Sequence, residues 1–263
     1  MNIIHQVTPP TTAAKQKMST AAEQQIEAQE QLSLGRSILL HLVPGAIITI
    51  LFYFLAPPLK VLGWPTLNFT FTLCALAVLL PTLFHLLQLG KKRNGKLSLK
   101  GVVLYRQTLP WWQYVVFALL VLVYAVLVSL PLGPLQKMIT QAFAWWPVYG
   151  LRLDTGTYPA THLFLAQILG FALNGFVGPI MEELYFRGYL LPRLSRLGVW
   201  APVLNMVLFS LYHLWQPWNN LENMFVMLPL VFLPWKKRNV YLAIVLHCTL
   251  NLFGMTLMLL AHH

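Results

Sequence analysis

Two adjacent carboxylates, Glu182 and Glu183, stand in the run Gly178-Pro-Ile-Met-Glu-Glu-Leu-Tyr-Phe-Arg-Gly188, in a chain that otherwise avoids acid. Only seven acidic residues occur in 263. Glu23, Glu27 and Glu30 lie in a polar N-terminal stretch, and Asp154 and Glu222 fall in expected loops, so the pair is the only acid in the apolar body. A carboxylate in such surroundings is costly to hold and points to function and to a partner. Arg187 follows Glu183 by four residues, which on a helix puts the two side chains on one face. Two further one-turn pairs occur downstream: Phe209 with His213, and His247 with Asn251. Each has an ordinary structural explanation when taken alone: an ion pair, a hydrogen-bonded core imidazole, a polar contact between helices. Taken together, on three separate apolar segments, they must face one another or a wet cavity, because unpaired polar groups in lipid are expensive. A carboxylate beside an imidazole can hold and deprotonate a water. A second imidazole with a carboxamide can donate hydrogen bonds to a developing oxyanion. Such a set suits hydrolysis of a peptide bond without a covalent intermediate.

The elements that must position these groups are membrane helices. The chain is 57% hydrophobic and 10% charged, with a mean hydropathy of +0.63. A soluble domain carries about 25% charged residues. Apolar runs approach the roughly 20 residues that cross a bilayer. The expected fold is all-α, a polytopic transmembrane bundle of about seven spans at 37–56, 67–89, 112–130, 161–178, 198–215, 221–235 and 239–260. An amphipathic or re-entrant piece is expected at 134–149, with Trp145, Trp146 and Tyr149 at the interface. A separate helix over 179–196, opened by Pro179 in its first turn, would carry the acidic pair where a helix dipole favours negative charge. Three regions follow: a polar tail over 1–35, flexible or lying on the surface; N-terminal membrane helices over 36–160; and a catalytic helical core over 161–263. The tail lacks the apolar core of a cleavable signal peptide. Cys74 and Cys248 fall within spans, where a disulfide is not expected.

The net charge of +11 does not point to nucleic acid, because Lys and Arg cluster in short connections between apolar runs. Fifteen of the eighteen basic residues fall on one side if the N-terminus is cytoplasmic; only Lys60, Lys137 and Arg152 fall on the other. That bias predicts an N-in, C-out protein. The host membrane would be a bacterial inner membrane, or an endomembrane in a eukaryote. The site would then open toward the cytoplasmic face.

The ordered trio Glu182-Glu183-x-x-x-Arg187, Phe209-x-x-x-His213 and His247-x-x-x-Asn251 resembles the motifs of the CPBP family of intramembrane proteases. That family includes the CAAX prenyl endopeptidases and the bacterial Abi or bacteriocin-processing proteins. The resemblance covers about 161–256. It implies an endopeptidase in which Glu182 activates water, His213 helps hold it, Glu183 and Arg187 set the orientation and charge of Glu182, and His247 with Asn251 forms the oxyanion site. Phe209 is assigned to substrate contact. The resemblance favours a metal-independent glutamate mechanism, with zinc held by Glu182, His213 and His247 as the alternative. The partners it implies are the bilayer and a membrane-associated substrate: a prenylated C-terminus, a leader peptide or an anchored peptide. Two rival readings are a non-proteolytic scaffold or immunity protein of the same family, and a proton-coupled transporter. The absence of a visible inverted repeat weakens the transporter.

Overall fold

The computed structural model describes residues 12–152 and 157–261, so Asp154 lies outside the described residues. The described residues are mostly helical. A polar helix, α1 (Thr12–Gln29), precedes α2 (Leu34–Val61), α3 (Thr66–Asn94), α4 (Trp111–Ala142) and a long α5 (Ala160–Leu197). Four more follow: α6 (Trp200–Tyr212), α7 (Asn220–Val226), α8 (Leu228–Lys237) and α9 (Val240–Ala261). Five of these, α2, α3, α4, α5 and α9, are long and apolar enough to cross a membrane. This is a polytopic membrane protein. Its outward faces carry bare apolar side chains such as Ile50, Phe54, Leu120 and Leu127, which suit contact with lipid.

Local chemistry sets the helix ends. Ser33 caps α2, its Oγ accepting from the Arg36 amide at 3.3 Å. Gly95, in the left-handed conformation at φ 75°, closes α3 behind Lys91, Lys92 and Arg93. Between α8 and α9 the chain turns at Arg238, and Asn239 Oδ1 then accepts from the Leu242 amide at 2.7 Å. Prolines inside α2 and α4 do not end them. Within a bundle, neighbouring groups and local widening of the turn re-satisfy the freed carbonyls.

Two expectations about spans are corrected. The expected spans at 198–215 and 221–235 come out as α6, of 13 residues, and α8, of 10. A helix of 13 residues is about 20 Å long, short of the roughly 30 Å core. The stretch 200–237 is instead a hairpin whose two ends lie on the same side, beside α1. Its turn, at 213–219, is held by the far end of α4 and the turn after it: Trp146 Nε1 donates to the Leu214 carbonyl at 2.9 Å, and Gln136 Nε2 donates to Trp218 and Asn219. Five spans and a hairpin leave α1 and the end of α9 on opposite sides, as seven spans would. The second correction concerns Pro179. It starts no new helix: α5 runs unbroken through it, because wide π turns at Leu173–Val177 and Leu184–Leu190 flank the regular segment Gly178–Glu183. Glu182 and Glu183 therefore sit deep inside a helix, not at a helix N-terminus.

The polar tail also differs from expectation. Residues 12–29 form a helix, and the acids in it and just after it reach the basic connections. Glu23 accepts from the Tyr105 amide at 3.1 Å; Glu27 takes the Tyr105 hydroxyl at 3.0 Å and Arg238 at 2.5 Å; Glu30 pairs with Arg193 at 2.6 Å and with Arg93. Loops at 93–106, 193–196 and 236–239 are thus gathered on one face, the face on which the charge bias placed them. Beneath α1 the stretch Val102–Tyr105 runs buried into the bundle, with the Leu104 amide donating to the Gly188 carbonyl at 2.8 Å. Gly188 permits that approach: a Cβ there would stand 2.6 Å from Val103 Cγ1.

Candidate active site

The acidic pair lies where α5, α6 and α9 converge. Glu183 is fully buried and shared. Its Oε2 is 3.1 Å from Arg187 Nε, and its Oε1 is 2.8 Å from His247 Nδ1. The expected pairing of Glu183 with Arg187 is present, and the guanidinium also lies over the Phe209 ring, 3.8 Å from its centre. Phe209 is itself fully buried, among Phe186, Tyr212, His213 and His247. It supports Arg187 from below and does not line the cavity, so the substrate contact expected of it is not seen.

Glu182 points the other way, to a cavity of about 270 Å³. Its Oε1 accepts from the Tyr212 hydroxyl at 3.0 Å, and its Oε2 is 3.8 Å from His247 Nε2. His247 therefore lies between the two carboxylates. A proton on Nδ1 is held by Glu183; Nε2 then accepts in the neutral ring and donates in the imidazolium. His213 also faces the cavity. Its Nδ1 lies 2.8 Å from the Phe209 carbonyl, which can only accept, so the neutral ring carries its proton on Nδ1 and offers the Nε2 lone pair. Asn251 Nδ2 donates to the main-chain carbonyl of Asn174 at 2.8 Å and keeps its second N–H. The structure thus brings Glu182, His213, His247 and Asn251 to one cavity wall, with Glu183 and Arg187 behind them.

Across the cavity α3 presents Leu67, Phe71, Ala75 and Leu79, one residue per turn. Asn174, Gln216 and Asn223 complete the polar lining. None of the connections at 93–106, 193–196 or 236–239 lines the cavity, in contrast to the expected opening toward the basic face. The lining on α3 belongs to the half of that helix nearer the opposite face.

Sequence reasoning missed Tyr212 and Asn174. Tyr212 lay inside the quoted run 209–213, and a hydroxyl in an apolar helix was the available signal. Asn174 was an isolated carboxamide in an apolar stretch, marked by no spacing rule. Among the described residues, no group of three His, Cys, Asp or Glu side chains is disposed to hold a metal ion. In the set Glu182, His213 and His247, Tyr212 takes one oxygen of Glu182, and both imidazoles commit Nδ1 elsewhere. Those bonds leave the second Glu182 oxygen and both Nε2 atoms to the cavity, and metal-bound histidines commonly engage their other nitrogen in this way, so the bonds themselves do not speak against zinc.

Residues 164–253 match the family model described as Type II CAAX prenyl endopeptidase Rce1-like. The match takes in most of α5, all of the hairpin and most of α9, and leaves α1–α4 outside it. No curated protein and no solved structure matches the chain.

Proposed function

We propose that this chain is an intramembrane endopeptidase of the CPBP type working by Glu182-activated water, a reading supported by the match of residues 164–253 to the Type II CAAX prenyl endopeptidase Rce1-like family model. The supporting observation is the setting of Glu182: a carboxylate at the cavity wall, held by the Tyr212 hydroxyl and facing His247, which Glu183 and Arg187 back. In this reading Glu182 takes one proton from a water whose other O–H donates a hydrogen bond to His213 Nε2. The water oxygen attacks the scissile carbonyl carbon. The second N–H of Asn251 and the imidazolium Nε2–H of His247 donate to the oxyanion. Collapse breaks the C–N bond, and Glu182 returns its proton to the leaving amine. Glu183 holds His247 and Arg187 and does not touch the reacting atoms. No metal takes part. The substrate is a membrane-associated polypeptide, and the N-terminus with the basic face is cytoplasmic.

The test compares membrane-protein termini in cells carrying the wild-type chain and Glu182→Gln. New termini present only with the wild type, at equal expression, are the expected result. Identical termini in the two would refute the protease reading and leave a scaffold.

A further inference from the structure

We infer that Pro179 is a positioning residue for hydrolysis: having no N–H, it leaves the main-chain carbonyl of Asn174 free to hold the Asn251 carboxamide with its donor edge toward the reacting carbonyl. The inference rests on the protease reading above, in which Asn251 donates to the oxyanion. It concerns how that donor is aimed.

The free carbonyl follows from the helix register. Before its last turn, a helix pairs each main-chain oxygen with an amide further along. At the wide turn of α5 the Gly178 amide donates to the Leu173 carbonyl, five residues back. In that register the next oxygen, on Asn174, would take the amide of residue 179. Residue 179 is proline and has no amide hydrogen. The Asn174 oxygen is left to another donor, and Asn251 Nδ2 of α9 donates to it at 2.8 Å. The acceptor is held from two sides. The Asn174 side chain donates to Thr72 Oγ1 of α3 at 2.8 Å. From the other side α9 is pressed onto the turn at Gly175, where even a Cβ would meet Leu252, the neighbour of Asn251.

The orientation follows from the acceptor. A carboxamide turned over about its last bond exchanges oxygen for nitrogen with almost no change in shape. Its nitrogen edge can donate to an oxyanion, and its oxygen edge would repel one. A carbonyl only accepts, so the Asn174 oxygen selects the nitrogen edge. One N–H is spent on that bond. The planar group then fixes the direction of the second, at the cavity that Asn251 lines. An N–H at residue 179 would compete for the Asn174 oxygen and release the carboxamide to turn.

The test compares Pro179→Ala with Pro179→lactic acid, in which an ester replaces the 178–179 amide. Both carry the same small side chain, and only the first carries an N–H. Each is made as the full chain in lipid nanodiscs, the ester by nonsense suppression. Isotope-labelled asparagine reports the carboxamide by NMR, the Asn251 signal being the one lost in Asn251→Asp. One Asn251 side-chain hydrogen should be protected from exchange in the wild type and in the ester variant. In Pro179→Ala that protection should fall about tenfold, the worth of one hydrogen bond. Cleavage is followed on a peptide spanning a terminus that the wild-type chain generates and Glu182→Gln does not. In Pro179→Ala kcat should fall about 10–100-fold with KM nearly unchanged, less than in Asn251→Ala because the donor is loosened and not removed. The ester variant should keep the wild-type kcat. Once Asn251→Ala is present, Pro179→Ala should cost nothing further; a proline that merely supports the fold would slow both backgrounds alike. Unchanged protection and kcat in Pro179→Ala, or a loss shared by the ester variant, overturns the inference and leaves the protease reading standing. The ester variant decides even if Pro179→Ala fails to fold. Lost protection in Pro179→Ala, with no Glu182-dependent cleavage of any peptide, overturns the protease reading and the role in hydrolysis with it, and leaves only the hydrogen bond.

Discussion

At the scale of single residues, the two neighbouring glutamates have different tasks because they face different ways. Glu183 is sealed between Arg187 and His247; Glu182 meets the cavity. Glu182→Gln keeps the shape and can still accept from Tyr212, but it cannot take a proton. Turnover in a peptide-cleavage assay should fall about 10²–10⁴-fold, with the protein still purifying as a folded species. Asn251→Ala should cost about 10²–10³-fold in kcat, the usual loss for one oxyanion donor, with little change in KM. A strong chelator should leave the rate of cleavage unchanged; restoration of a chelator-lost activity by zinc would reverse the metal-free reading. The motif residues were legible in the sequence because charge and carboxamide are rare in apolar runs, and rarity shows without coordinates. Tyr212 and Phe209 were not, because their importance lies in what they touch: one the Glu182 oxygen, the other the face of Arg187. Spacing cannot tell an aromatic ring that contacts substrate from one that supports a cation.

At the scale of elements, close helix crossings hold the site. A Cβ on Gly45 of α2 would run into the Tyr212 carbonyl, and one on Gly175 of α5 would stand 2.6 Å from Leu252 Cδ2 of α9. Small residues that let backbones approach are typical of membrane helix packing. Gly45→Val should therefore destabilise the fold by about 1–3 kcal/mol or more and move Tyr212 off Glu182. A lower unfolding temperature in detergent together with a reduced kcat would show both effects; an unchanged kcat would mean that α2 does not position the site. Helix existence and the sidedness of loops were readable from hydropathy and basic residues. Helix continuity was not. Pro179 reads as a helix start in any local rule, yet the π turns on either side absorb it. The short α6 and α8 read as spans because each is apolar, and hydropathy does not report that the chain turns back between them.

At the scale of the whole molecule, α1 ties three basic connections together through acids that composition alone had assigned to a loose tail. Burial raises the Glu23 carboxyl above its ordinary 4.5, against the opposing pull of the Tyr105 and Arg106 amides and of nearby Arg238 and Arg106. A raised acid in the folded state binds its proton more tightly than in the released helix. Its contribution to docking is therefore present in full below 4.5 and is lost as pH rises through the folded value. Amide protection in residues 12–29, relative to the intrinsic exchange rate at each pH, should be greater under mild acid than at neutral pH, and Glu23→Gln should flatten that dependence while keeping the bond to the Tyr105 amide. Sidedness has its own check: a cysteine at position 95 should resist an impermeant label applied outside intact cells, and one at position 150 should react. The two native cysteines are buried. The site's wiring also bears on how the chain is made. Glu183 and His247 are 64 residues apart in sequence, so at ordinary synthesis rates α5 waits about 3–13 s for α9. During that interval its carboxylates must enter or wait beside the bilayer without the imidazole that later joins them. Arg187, one turn away on the same helix, is the only partner from this cluster that emerges in time. It offsets one buried anion from the moment α5 forms, so Arg187→Leu should be lost to quality control during biogenesis before its enzymology can be measured.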